Sequence, residues 1–386
     1  MSDAKTQPKN FGFGDDEKML RDSARKFFAA NSTADTVHKR VADNPDPYRD
    51  ITVPWDQSQW QQIVELGWAA VAVPERAGGM GMPAVAVADL AEESGKAAYV
   101  GPLLPTLCST FVLNCCETPQ ADQYLAQVME GKSVTLAVAN GNGEWCYQDS
   151  PVSVSDGKLN GTSPYVQDLQ KCDYFLVSAK NTKGELDLYM VPKASEGVSL
   201  VADAIVDLTR DQGRLVLNQV PVEEAHKVNG GSGSDILKAA APMLITLVAA
   251  DIAGAAEWQL QTTTEYAKTR EQFGRPIGFF QAVKHPLVDM MVMIDQTRGH
   301  VYNAACAWDF EPGNVAQYAH MAKANAGDTA IFCSNRSVQL HGGIGFTWEC
   351  YLHLYFKRQM HNQMLFGDAK HHRAKLADLL LGEPVS

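Results

Sequence analysis

The sequence lacks the short motifs that mark a metal site or a disulfide framework. Its eight cysteines are spread over 386 residues, and only Cys115 and Cys116 adjoin. There is no CxxC or HExxH motif, so we expect neither a structural nor a catalytic zinc. The scattered thiols indicate a reducing, cytoplasmic environment. The adjacent His371 and His372 are interpreted as a solvated helix surface, not as metal ligands.

Clusters of positive charge and long apolar runs are also missing. The formal net charge of −12 argues against a nucleic-acid partner. The first twenty residues contain no hydrophobic signal core, so no secretion is expected. The most apolar run, 239–250, is too short to span a bilayer and predicts a buried helix. Together these absences favour a cytoplasmic protein with no membrane partner.

The length allows two or three domains, and helical patterning dominates the first of them. Residues 15–30 place Met19, Leu20, Phe27 and Phe28 along one helical stripe, with charged residues opposite. A glycine-rich turn at 78–81 separates this region from further helices expected within 85–131. We therefore predict an N-terminal helical domain over residues 1–131.

Residues 132–228 have a different hydrophobic pattern from the residues before them. Short alternating runs are separated by Gly, Asp, Asn or Pro, which is typical of antiparallel β structure. The runs predicted as strands are 133–139, 152–155, 158–165, 174–178, 186–191, 197–201 and 214–220. Asn229 to Gly233 then reads NGGSG, a composition that predicts a flexible hinge.

The remainder, 229–386, is predicted to be a helical bundle. Candidate helices cover 236–272, 280–310, 314–340 and 349–381, the last able to break near Gly367. Four long helices in succession predict an antiparallel four-helix bundle. The predicted fold class is thus α+β, with an N-terminal helical domain, a central antiparallel β domain and a C-terminal bundle.

The junction between the first two bundle helices has an unusual sequence. Tyr266, Arg270 and Phe273 lie at helical spacing, Gly274 follows where a left-handed cap is expected, and Pro276 prevents continuation. Taken alone, this indicates a helix end whose basic last turn complements the helix dipole. The full string, however, is REQFGRPI (270–277) followed by Gln281. It closely resembles the flavin-binding helix junction of acyl-CoA dehydrogenases.

Two further strings resemble the same family. QLHGGIGF (339–346) resembles its second flavin segment, and LGW, PE and GGMG within 66–81 resemble its N-terminal signature. The domain order also matches, so the resemblance covers nearly the whole chain. It implies FAD-dependent α,β-dehydrogenation of an acyl-CoA thioester to a trans-2-enoyl-CoA, with an acceptor such as an electron-transfer flavoprotein.

The resemblance also assigns cofactor-binding roles. Arg270 offers a planar fork of donors suited to a pyrophosphate, and glycines at 342 and 343 let backbone approach a dinucleotide closely. In the family these segments reach into the neighbouring subunit's flavin site. The alternative is that the two glycines merely end a helix. The residues assigned to FAD are Arg270, Gln272, Phe273, Ile277, Gln281, Gln339, Gly342 and Gly343.

The other half of the family's site is missing from the sequence. Where the family carries a Thr-Glu-Pro-like and a Trp-Ile-Thr-like string on its β domain, this chain reads AVANGNG (137–143) and SPYVQD (163–168). The reaction needs a base aimed at the substrate α-carbon. The two positions that hold this carboxylate in the family correspond to Phe366 and Leu244. Asp368 and Asp251 lie nearby and are interpreted as surface aspartates, so the catalytic base is unassigned.

This combination resembles the partner subunit of heteromeric acyl-CoA dehydrogenases that shorten bacterial steroid side chains. The strings DLTR (207–210) and LHLYFKR (352–358) also resemble that branch. Three hypotheses stay open. The chain is the base-lacking subunit of a hetero-oligomer acting on a steroid or other bulky CoA ester, a self-sufficient homodimer with a relocated base, or a non-catalytic scaffold homologue.

Overall fold

A computed structural model describes residues 7–42, 55–145 and 147–382. The N-terminal part is helical, as predicted. In α1, Phe28 is buried whereas Met19 is exposed, so the predicted stripe turns only part of its length towards the core. The helices are α1 Asp15–Asn31, α2 Ala34–Ala42, α3 Gln57–Glu65, α4 Ala84–Lys96, α5 Leu103–Cys116 and α6 Pro119–Met129.

The central part is one sheet in the order β1-β4-β2-β3-β7-β6, with β5 paired to β4. Every predicted strand is present, but the sheet is mixed. Val134 of β1 pairs in parallel with Tyr174 of β4, because the β2–β3 hairpin intervenes between them along the chain. Alternation shows which side chains share a face and not which way strands run. The strands are β1 Val134–Ala137, β2 Val152–Ser155, β3 Lys158–Gln167, β4 Tyr174–Lys180, β5 Leu186–Pro192, β6 Val198–Ala202 and β7 Gln212–Pro221.

The C-terminal part is the expected bundle, and the break near Gly367 is present. The family fold class is therefore confirmed, whereas the exact domain boundaries stay a prediction. The helices are α7 Gly233–Thr269, α8 Gln281–Phe310, α9 Val315–His341, α10 Leu352–Met364 and α11 Ala369–Leu381.

The segment predicted as a flexible hinge is pinned by hydrogen bonds. Asn229 is buried, its Oδ1 accepts from the Leu188 N–H at 2.8 Å, and its Nδ2 donates to the Gly231 carbonyl at 2.6 Å. Ser232 then caps α7 by accepting from the Asp235 N–H. The hinge prediction was wrong because composition cannot reveal that Asn229 bonds to β5.

Helix α7 forms the centre of the molecule. By length and apolar composition alone it could cross a membrane, but 78% of its most apolar window is buried inside the protein. It crosses α4 with the two backbones in contact. A Cβ on Gly95 would overlap the Asp251 backbone, and one on Gly254 would overlap the Glu92 carbonyl. Glycine at both positions therefore sets how closely the N-terminal helices approach the bundle.

Candidate functional site

The REQF string forms a hairpin and not a helix end. α7 stops at Thr269, and Glu271–Gln272 (β8) pairs with Arg275–Pro276 (β9). The turn residues Phe273 and Gly274 have φ of 57° and 72°, the combination that defines a tight type I′ turn. The expectation that Phe273 lies on the helix was wrong, because the chain becomes extended at Arg270. Phe273 lies at the tip of the turn in a left-handed backbone conformation that is strained for a residue other than glycine. The residue is 90% exposed.

A ring stack joins this hairpin to the second flavin-like string. Tyr266, in the last turn of α7, stacks on His341 with ring centroids 4.2 Å apart. Its hydroxyl also donates to the His341 carbonyl at 3.4 Å. α9 ends at His341, and Gly342 caps it with φ of 64°. The glycines thus do end a helix, and they also place the second string beside the first.

The eight residues assigned to FAD therefore belong to two joined segments that face away from the body of the chain. Ile277 is half-buried and the other seven are exposed. Within the described ranges, Arg270 forms no ion pair, whereas the Arg275 guanidinium lies over the Phe279 ring at 4.3 Å. An exposed guanidinium without an ion-pair partner in the described ranges suits an anionic dinucleotide. That these residues bind FAD stays a prediction.

On the β-domain side, a cleft of about 500 Å³ lies between the sheet and α10. We call it the sheet cleft. One wall is the β3 bulge, where Tyr165 has φ of 56° and rests its ring against Gly143. Burial lowers the pKa of His361, and its neutral ring donates through Nε2 to Gln167 Oε1 at 2.7 Å. The amide of Gln167 and the imidazole of His361 are thus hydrogen-bonded to each other. They lie at the position where the family has hydroxyl-bearing residues.

Both positions that correspond to the family's base are apolar and buried. Leu244 is inside α7, and Phe366 follows α10 with φ of 60°. The Phe366 ring packs against Trp145 with centroids 4.3 Å apart. Beneath this pair an inner cavity of only about 20 Å³ remains, room for about one water molecule. The Asp168 carboxylate also lines this cavity, but it is paired with Lys171 and lies 3.8 Å from Arg210. The remaining volume leaves no space for an acyl group.

Asp251 is not the surface aspartate that the sequence suggested. It is fully buried, and its carboxylate accepts from Arg358 Nε and Nη2 at 2.9 and 2.6 Å and from Arg210 Nη2 at 2.9 Å. Asn362 Nδ2 adds a bond at 2.6 Å. Burial favours the neutral acid, but the two guanidinium charges outweigh it and hold the pKa of Asp251 below its usual range. This carboxylate is locked into structure and is not free to take a substrate proton.

The same charges extend across the domains. Arg210 lies 3.8 Å from Asp168 Oδ2, and Lys171 bridges Asp168 and Asp211 in the β domain. Arg358 also donates to Thr209 Oγ1 at 3.0 Å and to the Tyr99 carbonyl at 3.3 Å. We call this set the buried ionic network. It ties DLTR to LHLYFKR, the two strings that resemble the steroid branch, and gives them a structural role.

Asp368 stays partly exposed, in keeping with its sequence-based interpretation, whereas His372 differs from its own. Asp368 is half-buried and caps α11, accepting from the His371 N–H at 2.7 Å, so its carboxylate already occupies the anion-favouring start of that helix. His371 is exposed, but His372 is buried with Nδ1 2.8 Å from His320 Nδ1. Burial lowers the pKa of His320 to about 4 and that of His372 as well. Within the described ranges no group of three or more His, Cys, Asp or Glu is arranged to hold a metal.

Comparison with known proteins agrees with the architecture. Residues 14–132 match the acyl-CoA dehydrogenase N-terminal domain, and residues 231–381 match the acyl-CoA dehydrogenase C-terminal domain. The acyl-CoA dehydrogenase IpdE2 of Mycobacterium tuberculosis is 32% identical over 345 residues, 89% of this chain and 91% of IpdE2. The chain belongs to the acyl-CoA dehydrogenase family. The recognition made from its two flavin strings is confirmed.

Solved acyl-CoA dehydrogenase structures are similar over almost the full length. A variant of the Tcur3481-Tcur3483 steroid ACAD has a TM-score of 0.83 and 28% identity, covering 95% of this chain and 98% of the compared chain. The ChsE4-ChsE5 complex from Mycobacterium tuberculosis has a TM-score of 0.85 and 25% identity, covering 97% and 100%. The ChsE4-ChsE5 structure is a complex of two proteins, and the Tcur3481-Tcur3483 structure is that of a steroid enzyme.

Proposed function

We propose that this chain is the base-lacking subunit of a heteromeric, FAD-dependent acyl-CoA dehydrogenase. One observation carries the proposal. The outward FAD set around Arg270 is exposed and accessible, whereas the chain's own reaction site is filled by Trp145 and Phe366. A chain built this way contributes to a flavin site on another subunit and completes none of its own.

In this assembly the residues of this chain bind and orient. Arg270 and Gln272 would donate hydrogen bonds to the flavin pyrophosphate. Gly342 and Gly343, which have no side chains, would let the backbone lie close to the dinucleotide. Phe273, at the tip of a hairpin, would pack against the dinucleotide or the subunit that holds it. FAD supplies the hydride acceptor when bound. The carboxylate that removes the α-proton would come from the partner, since Leu244 and Phe366 cannot accept one.

The paired subunits and the steroid enzyme among the similar structures support the finer parts of the proposal. We assign a homologous acyl-CoA dehydrogenase subunit as partner, in a heterotetramer, and a steroid or other bulky side-chain CoA ester as substrate. The product would be a trans-2-enoyl-CoA, with electrons passing to an electron-transfer flavoprotein in the cytoplasm. The homodimer hypothesis would need a relocated base, and Asp251 and Asp368 are both engaged as structural groups.

The decisive experiment compares the chain alone with the chain co-expressed with its partner. Flavin absorbance per polypeptide and α,β-dehydrogenation of a steroid side-chain CoA ester are measured for both preparations. We expect no flavin and no turnover from the chain alone, and one flavin per pair of unlike chains in an active complex. Full flavin occupancy and turnover by the chain alone would establish the homodimer instead. A complex that stays colourless would favour the scaffold hypothesis.

A second prediction concerns Asp368. Asn also caps helices, so Asp368→Asn retains the start of α11 while removing the carboxylate charge. We expect kcat of the complex to change by less than about tenfold, below the ~10²–10⁴-fold contribution of a general base. Steady-state kinetics of the folded complex provides the test, and a hundredfold loss of kcat would place the base on this chain.

A further inference from the structure

Trp145 occupies a position shared by three cavities. It lines the sheet cleft and the inner cavity below Phe366. It also lines an open cleft of about 670 Å³ bounded by α7, α9 and α11, which we call the lateral cleft. The indole therefore stands where these three spaces would otherwise meet.

The partner of the indole is held firmly in place. Lys323 Nζ donates to the Gln363 and Gly367 carbonyls, at 2.9 Å each, on either side of Phe366 along the chain. These bonds fix the backbone on both sides of Phe366, which is only 6% exposed. Contact with Trp145 then closes the inner cavity from the lateral cleft.

The inner cavity has the chemistry of an acyl-binding end but not its size. Most of its lining is apolar, including Leu104, Cys108, Val248 and Leu365, and such walls favour a hydrocarbon chain. The charged residues in the lining, Asp168 and Arg210, lie 3.8 Å from each other. About 20 Å³ cannot take a hydrocarbon chain. The lateral cleft outside is more than large enough to admit a ligand, so the restriction lies at the Trp145–Phe366 contact.

We propose that Trp145 is the specificity-determining residue that prevents this chain from accepting an acyl group in its own cleft. Removing the indole would connect the sheet cleft, inner cavity and lateral cleft into one space with an apolar end. The inference rests on the proposed function, because the ligand class is an acyl-CoA thioester. With the indole in place, an acyl group binds only at the partner's base, once per pair of unlike chains.

The test uses Trp145→Ala, with Trp145→Phe as the matched control that keeps a ring on Phe366. Octanoyl-CoA and free CoA are titrated calorimetrically into the purified full-length chain and into the complex. For the wild-type chain and Trp145→Phe we expect no preference between the probes. Trp145→Ala should bind octanoyl-CoA at least tenfold more tightly than free CoA, because apolar surface leaves water. In the complex, octanoyl-CoA stoichiometry should rise from one to two per unlike pair.

Two results would overturn the inference: a tenfold octanoyl preference in the wild-type chain, or none in a folded Trp145→Ala. Circular dichroism and thermal melting establish folding, and Trp145→Leu replaces the alanine variant if the latter unfolds. Failure of the proposed function has a different signature, since either the wild-type chain alone would carry flavin or the complex would stay colourless. A colourless chain that already prefers octanoyl-CoA overturns only the role of Trp145.

Discussion

Arg270→Ala should leave the assembled protein colourless with its helical circular dichroism unchanged. The guanidinium is exposed and forms no ion pair within the described ranges, so its loss costs the fold little. A bidentate contact to a phosphate comprises two charge-assisted hydrogen bonds, each worth about 1.5–3 kcal/mol. We therefore expect flavin affinity to fall at least ~100-fold, measured as flavin retained by the complex after gel filtration.

Two further variants sharpen this prediction. Arg270→Lys should also weaken flavin binding, because a point charge cannot reproduce a bidentate fork. Arg275→Ala is the matched control, since it removes the same charge from the same hairpin at a side chain engaged with Phe279. We expect that variant to keep its flavin. Retention of flavin at normal stoichiometry by Arg270→Ala would refute the assignment.

Asp251→Ala should destabilise the protein by about 3–5 kcal/mol. The substitution leaves Arg210 and Arg358 charged and buried without their carboxylate, and an uncompensated buried charge carries a cost of this size. Urea denaturation of the wild-type and variant chains measures the change. The kcat of the complex should fall only in proportion to the folded fraction, because Asp251 does not act as a base.

Asp235→Ala provides the control on the same helix. Asp235 is an exposed residue in the first turn of α7, 3.9 Å from Lys238, and its removal should cost less than about 1 kcal/mol. If Asp251→Ala unfolds at the wild-type urea concentration, the buried ionic network is not a major source of stability. A loss of kcat far beyond the loss of folded protein would instead identify Asp251 as catalytic.

Local patterns predicted the elements well and the contacts between distant elements poorly. Alternation located β2 at residues 152–155, where the structure places it, because one face of a strand must be buried. The Asp251 interactions escaped notice because Arg210 and Arg358 lie 41 and 107 residues away along the chain. No periodicity relates such positions, so burial of Asp251 could not be inferred from its neighbours.

The candidate site likewise has a part that local sequence patterns predicted and a part that depends on contacts between distant residues. REQFGRPI and QLHGGIGF are each an unbroken run of residues. Their resemblance to known flavin segments could therefore be recognised, and their positions near the ends of α7 and α9 could be predicted. The filling of the reaction site depends on Trp145, in the β1–β2 connection, meeting Phe366 after α10. Phe366 stands out in the sequence because it replaces the family's base, whereas nothing in the sequence marks Trp145, since only folding brings the two rings together.

The close crossing of α4 and α7 determines where the far end of the long central helix lies. The two helices cross at Gly95 and Gly254, where a single added methyl group would push the two backbones apart. From Gly254 to Arg270 the helix runs about 24 Å at ~1.5 Å per residue, so a tilt of about 5° would move Arg270 by about 2 Å. That displacement exceeds what a bidentate hydrogen bond tolerates. In the proposed complex, the position of Arg270 at another subunit's flavin would therefore depend on two glycines in the centre of this chain.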